Sequence, residues 1–208
     1  LVPTPGWKRA IKGEGWHQGE TLITGIGQGY LLTSPLQLAV MTARLANGGM
    51  AVVPRITRAV GGEIIHPAEA AKIDVDPKGL GIAQGGMDGV MNEIGGTAWR
   101  SRIPEKGMHM AGKTGTAQVR RISRAERASG VLKNEDLLWK QRDHALFICF
   151  APVHAPKYAM AVVVEHGGSG SGVAAPIAHD IMYEVLKRDP TQRQAYMPSE
   201  ADPNRGRG

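Results

Sequence analysis

The stretch Met110 to Val119 reads MAGKTGTAQV, and how it folds decides the reading of the whole chain. Two chemistries claim it. As a loop, Gly107, four intervening residues, then Gly112, Lys113 and Thr114 satisfy the phosphate-binding pattern G-x-x-x-x-G-K-[ST]. As a strand, Met108, Met110, Gly112 and Thr114 alternate as at a sheet edge that carries Lys113, Thr114 and Gly115. A phosphate loop needs a buried strand before it and a helix after it, because free N–H groups at the helix start hold the phosphates. Upstream, Arg102, Pro104, Glu105 and Lys106 make a poor buried strand. Downstream, Gly115, Thr116 and the residues after them are weak helix formers where the first turn would stand. Val162 to Val164 with Glu165 imitate the acidic strand that supports Mg²⁺, but read more simply as a core strand ending at a surface carboxylate. The strand reading is the stronger.

Composition bounds the class. The chain has 208 residues, 42% of them hydrophobic, which suits one domain or a domain plus a lobe with a real core. Its 28 glycines and 13 prolines are spread out, so a loop-rich fold is expected rather than a disordered chain. With two phenylalanines, the aliphatic residues and nine methionines must fill the core. The net charge of +6 suits nucleic acid, anionic lipid or an anionic polymer such as cell wall, but no aromatic-and-basic cluster offers a base-stacking platform. A single cysteine, Cys149 in an apolar run, excludes an internal disulfide and reads as a buried inert thiol. The seven histidines lack metal-ligand spacing, so no metal is expected. Leu1 opens in a Pro-rich stretch without a leader or a transmembrane segment, which suits a cytosolic protein or a piece of something longer.

Taken in order, residues 1 to 20 read as loop, with Trp7 and Trp16 as packing anchors, and Thr21 to Thr24 as a short strand. Gly25 to Tyr30, GIGQGY, fails as a dinucleotide loop, because Tyr30 replaces the third spaced glycine and no acidic residue stands between Glu20 and Glu63. Ser34 as N-cap, Pro35 at the first position and Gln37 closing a capping box predict a core helix that ends at Asn47-Gly48, with Leu38, Met41 and Leu45 on its apolar stripe. Met50 to Ala59 is strand-like, and Gly61-Gly62 turns it into Ile64-Ile65. Asp76-Pro77 starts a second helix with Leu80, Ala83, Met87, Val90, Met91 and Ile94 at helical spacing. Residues 119 to 142 form a basic insert, read as a solvated excursion with a short helix near Asp136 to Lys140, or as a surface for a protein partner or anionic polymer. His144 to Ala151 and Tyr158 to Glu165 read as an antiparallel hairpin. Gly167 to Gly172, GGSGSG, is expected as a flexible turn, before a helix over Val173 to Lys187 that buries Ile177, Ile181, Val185 and Leu186. Residues 1–188 read as one structural unit and 189–208 as a disordered tail.

This order of elements, with three of its motifs, resembles the C-terminal part of the transpeptidase domain of class B penicillin-binding proteins. The motifs are GIGQGYLLTSPLQLA (Gly25 to Ala39) followed by LANGG, AGKTGTAQV (Ala111 to Val119), and DHALFICFAP with EHGGSGSGVAAP. The resemblance implies an α+β, β-lactamase/transpeptidase-like fold, an antiparallel sheet flanked by helices. It implies acyl transfer: a serine attacks the penultimate D-alanine carbonyl of a cell-wall stem peptide, and an amine of a neighbouring peptide then takes the acyl group. Lys113 and Thr116 become the catalytic residues, one a positive charge beside the nucleophile, the other an N–H oxyanion donor. Thr114, Gly115 and Thr116 become the substrate-binding residues, with two hydroxyls for the terminal carboxylate and no side chain at Gly115. No cofactor or metal is implied. Stem peptides, β-lactams and elongation-machinery proteins are the implied partners, at the periplasmic face of the bacterial inner membrane, with the membrane anchor outside this chain.

The family's Ser-x-x-Lys and Ser-x-Asn motifs match none of the seven serines. The chain is therefore expected to be a C-terminal fragment without the nucleophile, inactive alone. Two rivals remain: a β-lactam sensor or β-lactamase relative, and a phosphate-loop nucleotidase that uses Gly107 to Thr114 and Mg-ATP.

Overall fold

The computed structural model describes residues 1–120 and 122–189, so the expected tail lies, from residue 190 on, outside the described residues. Two short helices open the chain, α1 (Pro5–Lys12) and α2 (Gln18–Gly25), where the sequence suggests a loop and a strand over Thr21 to Thr24. The local signals explain α1. The Thr4 hydroxyl accepts from Trp7 N–H, Pro5 opens the helix, and Gly13 closes it in the left-handed conformation. In α2 the Glu20 carboxylate accepts from the His17 N–H at 2.8 Å. The two helices are pinned by Lys8, only 1% exposed, whose ammonium meets Glu20 at 2.6 Å, Glu14 at 3.5 Å and the Gly15 carbonyl at 2.7 Å. The Glu20 hydrogen bond raises the Lys8 pKa, and the His17 N–H, then Lys8, lower that of Glu20.

Helix α3 (Pro35–Ala46) forms as its capping signals require: Ser34 accepts from Gln37 N–H, and the Gln37 side chain accepts from Ser34 N–H. It buries Thr42 and Ala46, while Met41 is exposed and lines an apolar cavity with Leu36, Val75 and Leu80. Strand content between Met50 and Ala59 is smaller than expected. Only the two-residue strands β1 (Ala59–Val60) and β2 (Glu63–Ile64) form, joined through Gly61 and Gly62 at positive φ. Asp76 caps α4 (Pro77–Asn92) by accepting from the N–H groups of Lys78 and Gly79. Met87 and Met91 are buried on it, whereas Ala83 and Ile94 are exposed.

The sheet follows: β3 (Ala111–Ala117), then β4 (His144–Ala151) and β5 (Tyr158–Val164), antiparallel in the order β3-β4-β5. Side chains alternate across it. One face of β4 sends Ala145, Phe147 and Cys149 into a cluster with Met91, Ile103, Ala175, Ala178 and Met182. The other sends Phe150 against Ala46, Met87 and Ala111. Helices thus cover both faces of an antiparallel sheet, the α+β arrangement expected. Between β3 and β4 the insert forms α5 (Arg124–Ser129) and turns at Asn134–Asp136 and Trp139–Gln141, not a helix over Asp136 to Lys140.

The last helix, α6 (Ala175–Arg188), buries Ala175, Ala178 and Met182 and leaves the expected Ile177 and Ile181 exposed, while the expected Val185 and Leu186 are half-buried, Leu186 against the core. Alanines let the helix backbone approach the sheet more closely than isoleucines would, and that packing outweighs the larger apolar side chains. No helix among the described residues is long and apolar enough to cross a membrane.

Cys149 is fully buried, and burial pushes its thiol from 9.0 up to about 12. Its contribution to stability is therefore whole below pH 9.0 and is lost as pH rises toward 12. The native chain is expected to resist iodoacetamide at about pH 8 and to take one alkyl group only in denaturant. Intact mass before and after unfolding checks this; an adduct on the native protein would contradict it.

Candidate active site

The residues singled out in the sequence lie together on the outer strand of the sheet. Lys113 stands opposite Ile148, Thr114 opposite Phe147, Gly115 opposite Leu146 and Thr116 opposite Ala145. Strand β3 pairs with β4 on one side, and its other side is the sheet edge. Along that edge the Thr114 carbonyl accepts from Lys113 Nζ at 3.0 Å, and the Thr116 carbonyl accepts from Gln28 Nε2 at 2.5 Å. In an antiparallel strand the N–H and C=O of one residue point to the same side. The N–H groups of Thr114 and Thr116 therefore also face the open edge, while Lys113, Gly115 and Ala117 bond to β4. The Lys113 ammonium, exposed, also reaches Thr114 Oγ1 at 3.3 Å. The edge thus presents a cation, two hydroxyl-bearing residues and outward N–H groups within four consecutive positions.

A strand here excludes the phosphate loop. Lys113 and Thr114 sit in mid-strand, and no helix starts at Thr114 to aim N–H groups at a phosphate. The nucleotidase reading of Gly107 to Thr114 is corrected accordingly.

Contacts from distant segments bracket the strand at both ends. Asn92, near the end of α4, donates to the Met110 carbonyl at 3.0 Å, and Val153 N–H donates to the His109 carbonyl at 2.9 Å. At the far end, Asp143 accepts from Val119 N–H at 3.3 Å and itself donates its N–H to Asn134 Oδ1 at 2.8 Å. The Gly168 N–H donates to the Asp143 carbonyl at 2.8 Å, which ties the insert to the segment before α6. Within the insert, Arg120 grips Glu126 through two bonds of 2.6 and 2.7 Å, so this arginine is paired rather than solvated. Each partner shifts the other: Glu126 raises the Arg120 pKa, and Arg120 lowers that of Glu126.

The segment GGSGSG is not the flexible turn the sequence suggests. Gly170 is buried, and residues Gly170–Ala174 form a turn of π-helix leading into α6. A Cβ added to Gly170 would lie 2.7 Å from the Gly115 carbonyl oxygen, 2.8 Å from the Leu146 carbonyl oxygen and 3.2 Å from the Gly115 nitrogen. Gly170 therefore lies directly against the backbone of β3 and β4. Gly112 is confined as well, since a Cβ there would come 2.4 Å from Phe147 Cζ. A Cβ at Gly115 would stand 3.3 Å from Leu146 Cβ, so that glycine also serves packing within the sheet. Sequence reasoning missed Gln28 and Gly170. The signals available were a glutamine between two glycines and a glycine spacing too regular for a linker.

Residues 4–183 match the model of the penicillin-binding protein transpeptidase domain. The chain belongs to that family. It is 34% identical over 200 residues to the peptidoglycan D,D-transpeptidase MrdA of Haemophilus influenzae, covering 94% of this chain and 30% of that protein. Among solved structures, penicillin-binding protein 2 of Pseudomonas aeruginosa superposes with a TM-score of 0.73 at 37% identity, covering 96% of this chain and 41% of that one. A complex of Helicobacter pylori penicillin-binding protein 2 with MreC matches with a TM-score of 0.66 at 30% identity, covering 90% of this chain and 31% of that one. The chain therefore spans about a third of the length of the MrdA protein it matches. As a member of the transpeptidase family, it carries its Lys-Thr-Gly-Thr run on an edge strand closed at one end by Gln28.

Proposed function

We propose that this chain supplies the edge-strand side of the active site of a peptidoglycan D,D-transpeptidase of the penicillin-binding protein 2 type. The observation that carries this reading is the β3 edge, with Lys113, Thr114 and Thr116 and the outward backbone groups of the two threonines. The nucleophilic serine comes from a segment outside these residues. Its hydroxyl attacks the penultimate D-alanine carbonyl, an ester forms, and the bond to the terminal D-alanine breaks. The amine of a second stem peptide then takes the acyl group and frees the serine. In both tetrahedral intermediates the negative oxygen receives the Thr116 N–H. Lys113 holds positive charge beside the nucleophile and the substrate carboxylate, and the hydroxyls of Thr114 and Thr116 bind that carboxylate. Gly115 lets the substrate backbone lie against the strand. A β-lactam enters by the same route and stays on the serine as an ester.

The protein works at the periplasmic face of the inner membrane, held by an anchor outside these residues, together with other proteins of cell elongation. The MreC complex of the Helicobacter relative supports the partnership. The test is intact mass of the purified full-length protein with and without a labelled penicillin. One covalent penicillin per chain is expected. No adduct on a folded full-length protein would overturn the reading.

A further inference from the structure

The GIGQGY run is absorbed by neither the nucleotide reading nor the acyl-transfer chemistry, yet it reaches the candidate site. Gly27 and Gly29 adopt φ of 76° and 75°, a conformation open to glycine and costly for other residues, and they bracket Gln28. The Gln28 N–H donates to the Ile23 carbonyl at 3.0 Å, and a Cβ on Gly29 would meet Ile23 Cγ2 at 2.9 Å, so the loop is folded tightly back on the end of α2. Tyr30 beyond it packs on Trp7 with ring centroids 5.5 Å apart. This tight loop delivers one side chain to the edge of β3. Gln28 Nε2 donates to the Thr116 carbonyl at 2.5 Å, and Gln28 Oε1 accepts from the Gln118 N–H at 3.4 Å.

An amide that donates to residue i and accepts from residue i+2 on the open side of a strand makes the contacts a neighbouring strand would make. We propose that Gln28 is a positioning residue of the acyl-transfer site: its side chain stands in for a missing strand at Thr116 and Gln118, and so fixes the direction of the Thr116 N–H. This rests on the transpeptidase reading of that edge. The same contact sets a boundary. A peptide that adds to the edge in extended form is confined to Thr114 and Thr116, because the next outward donor, at Gln118, is already taken. The Thr116 carbonyl keeps a second lone pair for the peptide.

The test uses the full-length protein as wild type, Gln28→Ala and Gln28→Glu. Acylation by a labelled penicillin is split into noncovalent affinity and the acylation rate, with melting temperature and ¹⁵N-resolved amide exchange at Gln118 read alongside. In Gln28→Ala the acylation rate is expected to fall about 10- to 100-fold, the scale on which a misplaced catalytic group costs rate. Noncovalent affinity and melting temperature should stay close to wild type, and Gln118 should lose its exchange protection. Gln28→Glu keeps the shape and the acceptor for Gln118, so protection there should persist. It lacks the donor for Thr116 and brings negative charge near the developing oxyanion, so acylation should fall further still. If Gln28 only filled space, Gln28→Glu would react like wild type, and that result overturns the proposal. Unprotected Gln118 in the wild type overturns it too. A wild type that takes no penicillin would instead sink the transpeptidase reading, and the exchange at Gln118 would then decide the edge contact by itself.

Discussion

Replacing Thr116 by proline in the full-length protein is expected to lower penicillin acylation by about 10²- to 10³-fold, the usual cost of losing one oxyanion donor. The substitution is selective. Proline removes an N–H and fixes φ, and in sheets it is tolerated where the N–H faces outward at an edge. The Thr116 N–H faces that open side, as the bond from Gln28 to the Thr116 carbonyl requires, so no bond to β4 is lost. Lys113→Ala is expected to give a similar loss by a different route, the removal of the exposed ammonium that lies along the same edge. Its side chain makes no buried contact, and melting temperature should barely move in either variant. Stopped-flow acylation with a fluorescent penicillin, beside thermal melts, checks both. Normal acylation in the two variants would remove these residues from the site.

The second large effect is expected behind the strand. In Gly170→Ala the new methyl would press on the carbonyl oxygens of Gly115 and Leu146 at 2.7 and 2.8 Å. Those atoms belong to paired strands and cannot step aside singly, so β3 shifts or the segment before α6 lifts. Overpacking of this kind costs about 1–3 kcal/mol of stability, and displacement of Gly115 carries Thr116 with it. Acylation should fall by about 100-fold. Gly172→Ala is the internal control. Its methyl would meet the Ser169 Oγ at 3.1 Å, the cap that accepts from the Gly172 N–H at 3.0 Å, so stability should fall by up to about 2 kcal/mol through that cap while acylation stays near wild type, because no strand backbone is displaced. Equal behaviour of the two variants would show that Gly170 does not support the strand.

Much of the frame was legible because the signals were local. Ser34, Pro35 and Gln37 dictate the start of α3 through bonds made within four residues, and Asp76 with Pro77 does the same for α4. The apolar, β-rich runs of His144 to Ala151 and Tyr158 to Val164 dictate an antiparallel hairpin. The failures share a cause. Thr21 to Thr24 is β-prone in isolation but becomes helical because the Glu20 carboxylate caps α2 and ties it to Lys8. Ile177 and Ile181 look like the buried stripe of α6, yet the sheet accepts the alanine face.

The candidate site divides along the same line. Sequence by itself determined that Lys113, Thr114, Gly115 and Thr116 are consecutive in an extended run, since the glycine and threonines disfavour a helix and the flanks disfavour a phosphate loop. With period two, it also determined that Thr114 and Thr116 act alike and Lys113 and Gly115 act alike. Only the tertiary structure decided that this strand is at the edge, which of its backbone groups face outward, and that Gln28 and Gly170 hold it from two sides. Edge position depends on which strands pair, and pairing joins residues 27 positions apart at Ala117 and His144 and 39 apart at Ala111 and Phe150, a separation that no local window spans. Gln28 lies 88 residues from Thr116, and Gly170 lies 55 from Gly115, so their contacts exist only once the chain has closed on itself.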